Sequence, residues 1–247
     1  MTSYNKMDTR FWGPDGWKLL HSIVEGYPSK PSISDKETYK NFFKTIEHVL
    51  PCIYCRRSFK QYIGEMPIEP YLKNKRSLVK WLYLMHNKVN DKLRKQGLNS
   101  NPDPSFDEIC RRYRQYVRDI NKSNCIGMPG WDFLYSIVFN FPLHKSDIET
   151  ERFYQHIVFF KYLAKVLPFK SVKKRYNKEI VDTNFIEILQ GREKFKKWFY
   201  RVEKSVKKLI SCRCLKFSER CDRIEIHRAG CGGKKDKKPT CRVGNSK

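Results

Sequence analysis

Apolar and aromatic side chains recur along this chain at the three- and four-residue spacing of helix faces. Trp12, Trp17, Leu20, His21 and Val24 form one stripe. Phe42, Ile46, Val49 and Leu50 form a second, and Leu78, Trp81, Leu82, Met85, Val89 and Leu93 a third. The alternation that marks strands is scarce. The pattern predicts an all-α protein, with breaks at Tyr27-Pro28, Gly64 to Pro70, Gly97 to Pro104, Gly127 to Gly130 and Phe141-Pro142. From Ser211 the periodicity stops. CRC, Gly230, Gly232-Gly233 and KKDKK then predict an irregular, Cys-rich tail.

The helical pattern is written twice. GPDGWKLLHSIVEGYP at 13–28 and GMPGWDFLYSIVFNFP at 127–142 align on Trp17 and Trp131, sharing Leu20/Leu134, Ser22-Ile23-Val24/Ser136-Ile137-Val138 and Pro28/Pro142 at an offset of 114. Val49-Leu50-Pro51 recurs as Val166-Leu167-Pro168, and Trp81-Leu82-Tyr83 as Trp198-Phe199-Tyr200, both at an offset of 117. Matches in order at a near-constant offset predict a duplication. The expected division is 1–126, 127–211 and a basic tail at 212–247. The copies keep the apolar framework and differ in polar residues. Cys52 and Cys55 become Phe169 and Val172; His86, Asn87 and Asn90 become Glu203, Lys204 and Lys207. An active copy beside a degenerate one would leave that trace.

Composition narrows the class. At 247 residues the chain suits one or two domains, and 40% hydrophobic residues exclude a disordered one. It has neither the ~18-residue apolar run of a membrane span nor the apolar stretch of a signal peptide, so the expectation is a soluble protein without a secretory route. In that setting nine cysteines point to metal or redox chemistry. The net charge is +25, of which the tail supplies +7 and the two copies +18. The charge reads as spread over a solvated surface, and no specific nucleic acid partner is expected.

Pro51-Cys52-Ile53-Tyr54-Cys55 carries the strongest chemical signal. Cysteines at i and i+3 share a helix face and lie within disulfide reach. Pro51 suits the first helical position. A helix N-terminus, with Arg56 and Arg57 nearby, favours the thiolate. By itself the pair suits a redox disulfide, half a zinc site or a passive disulfide. Two further groups flank apolar stripes: Trp17 with His21, after Gly13-Pro14, and His86 with Asn87 and Asn90. They look like hydrogen-bonding groups around a flat polar ligand wedged in a bundle.

WGPDGWKLLH, LPCIYCRRSF and WLYLMHNKVNDKL, in this order and spacing, resemble the Erv/ALR family of FAD-linked sulfhydryl oxidases over about residues 10–125. The resemblance implies a four-helix bundle with a short fifth helix, FAD at one end, and O2 as electron acceptor. Trp17 and His21, with Gly13, would line the flavin site. His86, Asn87 and Asn90, with Lys92 and Lys95, would hold the ring system and the adenosine diphosphate portion, and Tyr113 or Tyr116 would lie against the adenine. Cys55 would sit beside the isoalloxazine, and Cys52, the more accessible sulfur, would exchange with incoming protein thiols. Cys110 and Cys125 would form a structural clip. The degenerate copy resembles the pseudo-Erv half of quiescin-type oxidases and would occupy a partner's place in cis. The product is then a monomeric pseudo-dimer, against the homodimer of small family members.

In the tail, Cys212 and Cys214, with Cys221, Cys231 and Cys241, suit an electron relay, a zinc knuckle or static disulfides. The compact basic chain resembles members encoded by large DNA viruses, which would place it in host cytoplasm or a virion. Two other classes stay open on sequence: a basic module binding nucleic acid or acidic surfaces, and a structural zinc-binding helical protein.

Overall fold

The computed structural model describes residues 8–98, 101–122, 127–141, 147–181, 183–209 and 213–228. Among them every regular element is helical. The first set is α1 (Thr9–Glu25), α2 (Ile33–Val49), α3 (Ile53–Glu65), a 3-10 turn at Glu69–Tyr71, α4 (Lys75–Lys95) and α5 (Phe106–Lys122). The second is α6 (Trp131–Phe139), α7 (Asp147–Val166), α8 (Lys170–Val181), α9 (Phe185–Ile188), α10 (Arg192–Leu209) and α11 (Phe217–Arg228). None of the described helices is long and apolar enough to cross a membrane.

Local chemistry fixes the ends. Asp8 caps α1, accepting from the Arg10 amide at 2.9 Å. Ser32 and Asp35 form a reciprocal capping box on α2. Asn74 caps α4. Pro51 stops α2 at Leu50, because the residue before a proline is pushed out of the helical region. Gly97 closes α4 at φ +65°.

The buried faces are wider than the single stripes predict. In α1, Leu19 and Ile23 are buried along with Leu20 and Val24; in α2, Tyr39 and Phe43 join Phe42 and Ile46. One face of each helix packs within its own set, and the other packs on the second set.

Contacts inside the first set recur in the second, those of Phe43 with Trp81 and of Trp81 with Met66 at the offset of 117 read from sequence. Phe43 meets Trp81 with ring centroids 4.9 Å apart, and Phe160 meets Trp198 at 5.6 Å. Trp81 Nε1 donates to Met66 O at 2.9 Å; Trp198 Nε1 donates to Thr183 Oγ1, also at 2.9 Å. Tyr83 lies 5.4 Å from Phe106, and Tyr200 lies 5.3 Å from Phe217.

Contacts between the sets are reciprocal. A Cβ on Gly16 would lie 3.1 Å from the Phe133 ring, and one on Gly130 would lie 2.6 Å from Leu19. Gly130 is the counterpart of Gly16, and Phe133 of Leu19. Phe42 stacks on its own counterpart, Phe159, at 5.6 Å. Residue i on j′ with j on i′, and a residue facing its own equivalent, are the contacts a twofold axis generates.

Two expectations change. The fifth helix is not short: α5 has 17 residues, as many as α1. The segment after Ser211 is not wholly irregular, because Phe217–Arg228 forms α11. Its pairing with Tyr200 makes α11 the counterpart of α5. It is held by tertiary contacts, including Phe11 stacked on His227 at 4.0 Å.

Candidate active site

Three helices of the first set bring the predicted flat-ligand residues together. Trp17 from α1 stacks on His86 from α4 with centroids 3.9 Å apart and planes within 11°. His21, one turn after Trp17, approaches His86 through Nε2···Nδ1 at 3.1 Å, so one proton is shared between two ring nitrogens. Tyr113 from α5 stacks on His21 at 4.6 Å and 14°. The spacing of α1 and α4 made Trp17, His21 and His86 legible. Tyr113 enters because α5 crosses α1.

Burial keeps the cluster uncharged. Desolvation drives the His21 pKa down to about 3, with His86 and Arg112 adding repulsion, and takes His86 down to about 4. His21 Nδ1 is buried and has no hydrogen-bond partner in the protein. A buried polar nitrogen without a partner calls for an explanation, and a polar ligand among these rings would supply one. Around Gly13 there is open space.

Other predicted residues are placed less directly. Asn90 donates from Nδ2 to Asp103 at 2.7 Å, and Arg94 pairs with the same carboxylate at 2.7 Å. Arg94 is the main reason the Asp103 pKa is lowered. Neither was singled out from sequence; both fasten the 101–105 loop to the end of α4. Lys92 donates to Ser58 on α3 at 2.7 Å, one turn from Cys55. Asn87 and Tyr116 are half-buried, and Lys95 is exposed.

The cysteine pair opens α3. Cys52 is its N-cap residue and Cys55 lies in the first turn. Pro51 therefore precedes the cap instead of filling the first helical position. Arg56 is turned back, donating to Leu50 O at 2.7 Å and tying α3 to the end of α2. The accessibility predicted for the two sulfurs is reversed: Cys52 is buried at 7% exposure, and Cys55 is half-buried. Cys52 follows buried Leu50 and Pro51 at the α2–α3 corner, whereas Cys55 lies one turn into the helix.

Cys110 is buried on α5; Cys125, its expected partner, lies outside the described residues, as does Cys212. Cys214 is half-buried beside Leu215, whose carbonyl accepts from the Tyr200 hydroxyl at 2.9 Å. Among the described residues no group of three His, Cys, Asp or Glu side chains is placed to hold a metal.

At the counterpart positions of the second set the chemistry differs. Tyr135 stands for His21 and Glu203 for His86, joined at 2.6 Å. Glu203 is fully buried and also pairs with Lys207 at 2.7 Å and with Arg220 from α11. Arg220 reaches Asp132 at 3.2 Å. A connected ion cluster occupies the place of the neutral ring stack.

The histidines set a pH dependence. His21, His86 and the buried His156, whose pKa falls to about 3, all titrate below their unfolded value of about 6.5. The unfolded chain therefore binds more protons on acidification. Stability is intact above pH 6.5 and is lost as pH falls toward 3 to 4. By pH 4.5 each site costs on the order of 2–3 kcal/mol. Asp15 and Glu25, whose pKa values burial raises, oppose this. Calorimetry should show Tm dropping between pH 7 and 4.5 and little change between 7 and 9. A flat profile down to pH 4.5 would show the histidines protonated in the fold.

Comparison with known proteins identifies the family. Residues 14–114 match the model of the Erv1 / Alr family. The chain is 35% identical over 102 residues to the mitochondrial FAD-linked sulfhydryl oxidase ERV1 of Saccharomyces cerevisiae, covering 40% of this chain and 53% of the relative. It is 36% identical over 85 residues to the probable FAD-linked sulfhydryl oxidase R368 of Acanthamoeba polyphaga mimivirus, covering 34% and 59%. It is 30% identical over 108 residues to the putative FAD-linked sulfhydryl oxidase 096R of Invertebrate iridescent virus 3, covering 44% and 69%. The chain thus spans between half and about two thirds of these relatives' lengths. It belongs to the Erv1/Alr family. The family match ends within α5, and the second helical set lies beyond it.

Proposed function

We propose that this chain is an FAD-linked thiol oxidase that forms disulfides in protein substrates and passes the electrons to O2, with overall balance 2 RSH + O2 → RSSR + H2O2. The carrying observation is the neutral Trp17–His21–His86–Tyr113 cluster with its buried, unpartnered His21 nitrogen. Those groups fit a flavin: planar rings to stack on, uncharged hydrogen-bonding edges, and open space at Gly13. Trp17, His21, His86 and Asn87 would hold the ring system. Lys92, Lys95 and Tyr116 would hold the adenosine diphosphate portion, with Asn90 fixing the loop beside it. When bound, the flavin supplies a two-electron acceptor that O2 can reoxidise.

The chain's own residues do the thiol chemistry. A substrate thiolate attacks one sulfur of the oxidised Cys52–Cys55 pair and forms a mixed disulfide, and the other sulfur leaves as thiolate. By the family resemblance Cys55 would lie beside the flavin and Cys52 would take the incoming thiol, although Cys52 is the more buried residue of the two. A second substrate thiol resolves the mixed disulfide, releasing RSSR and the Cys52 thiolate. The neutral histidines keep the site free of a competing positive charge at pH 7.

The second helical set we read as a degenerate copy that covers α1 and α2 in cis. Its counterpart site is filled by the Glu203–Arg220–Lys207 cluster, so one flavin per chain is expected. Light scattering should give the mass of one chain. Flavin release should give one equivalent, and an oxygen electrode should record O2 uptake with a dithiol. Colourless protein that consumes no O2 would reject the function; two flavins per chain, or a dimer joined through α1 and α2, would reject the role of the second copy. The mimivirus and iridescent-virus relatives support a viral setting, in host cytoplasm or a virion.

A further inference from the structure

The charge is less evenly spread than composition suggests. On α10 the exposed positions that follow one another by three and four are Lys197, Arg201, Lys204 and Lys208; on α8 they include Lys174 and Lys178. The two helices lie side by side, because Ser205 of α10 is hydrogen-bonded to both Arg175 and Glu179 of α8 at 2.5 Å. Lys174 and Lys178 directly precede those two α8 residues, Lys204 directly precedes Ser205, and Arg201 and Lys208 lie within one turn of it. Five of the six cations therefore lie within one turn of this seam, and Lys197 extends the α10 row beyond it. None of the six takes part in a described ion pair, and the one carboxylate in the seam, Glu179, is engaged by Arg175 and Ser205. Their counterparts in the first set are Arg57, Gln61, Lys80, Leu84, Asn87 and Asp91, a net charge of +1 against +6. The surface was recharged while the apolar framework beneath it was kept.

We propose that the α8–α10 face binds the phosphate backbone of nucleic acid without sequence preference. Lys197 to Lys208 span eleven residues, roughly 16 Å of helix at 1.5 Å per residue. Duplex DNA presents about ten charges over that length. Five of the six cations are lysines, which act as point charges and do not make the bidentate fork that arginine offers to guanine. Arg201 alone offers that fork, and one such group among five lysines gives no sequence pattern to read. A lipid surface would need apolar anchors among the cations; Val181 and Leu209 are exposed, but each sits at the end of its helix and not within the cationic rows. This site is independent of the thiol oxidase reading, because none of its residues belongs to the first set.

The test is fluorescence anisotropy of the full chain with a random 20-base-pair duplex across a salt series. Six contacts predict a slope of log Kobs on log[salt] near −5. Replacing Lys174, Lys178, Lys197 and Lys204 by serine should reduce that slope by about 3.6 and weaken binding at low salt at least about a hundredfold. Arginine at the same four positions should restore both. Circular dichroism and dithiol oxidation should be the same in all three proteins. An unchanged slope in the serine variant would overturn the proposal. So would tighter binding to polyglutamate, or to phosphatidylserine vesicles, than to the duplex. Loss of oxidase activity in the unmodified chain would leave the binding result standing, so the two readings fail separately.

Discussion

Replacing Cys52 or Cys55 by serine is expected to lower kcat/KM for dithiol oxidation by at least about a thousandfold, or about 4 kcal/mol of transition-state stabilisation. The thiol pair acts as a unit, since neither sulfur can form the exchanging disulfide alone. Fold and flavin content should be kept, for a reason visible in α3. Cys52 is the N-cap residue yet makes no side-chain capping bond. Serine is among the best caps and contributes about 0.5–2 kcal/mol at such a position. Cys52→Ser should therefore be as stable as the parent or more so, and inactive. Cys55→Ser, in the first turn, should be near neutral in stability and equally inactive. Steady-state O2 consumption and thermal denaturation of the same samples check both statements. Activity within tenfold of the parent in either variant would remove the pair from the mechanism.

Phe42→Ala should produce the largest loss of stability. Phe42 is fully buried between α2 and α7 and stacks on fully buried Phe159. Truncating a buried phenylalanine costs about 3–5 kcal/mol. In a chain of this size that lowers Tm by roughly 6–20 °C. The sharper part of the prediction is its form. If the second set covers α1 and α2 within the same chain, the contact is intramolecular and Tm is independent of protein concentration, in parent and variant alike. A homodimer would show Tm rising with concentration and the variant would dissociate. Thermal scans across a hundredfold concentration range separate these outcomes.

The first set was readable because its chemistry falls on its periodicity. Trp17, His21 and His86 lie at helical spacing along buried stripes, and the structure stacks them. Tyr113 was harder, since its contact with His21 depends on how α5 crosses α1, which no local pattern encodes. α11 escaped for a different reason. Its buried side chains are few, chiefly Ile224 and Arg220, so it carries no clean apolar stripe. An arginine buried by Glu203 and Asp132 does the work that an apolar residue, Ile109, does in α5. A signal was nevertheless present: Phe106, Glu108, Cys110 and Arg112 recur as Phe217, Glu219, Cys221 and Arg223 at a constant offset of 111. The relative burial of Cys52 and Cys55 was also hidden, because it depends on how the α2–α3 corner is packed. The charge misled because a net total does not say where unpaired cations gather.

The central claim is that the Cys52–Cys55 pair exchanges electrons with a flavin held by Trp17, His21 and His86. Anaerobic titration of the purified full chain with a dithiol, followed by visible absorbance, tests it most directly. The account predicts that the chain carries flavin, that its absorbance bleaches on adding dithiol, and that admitting air restores it. In Cys55→Ser the flavin should stay unbleached. A parent protein whose bound flavin is untouched by dithiol, or a Cys55→Ser variant that bleaches as fast as the parent, would contradict the account.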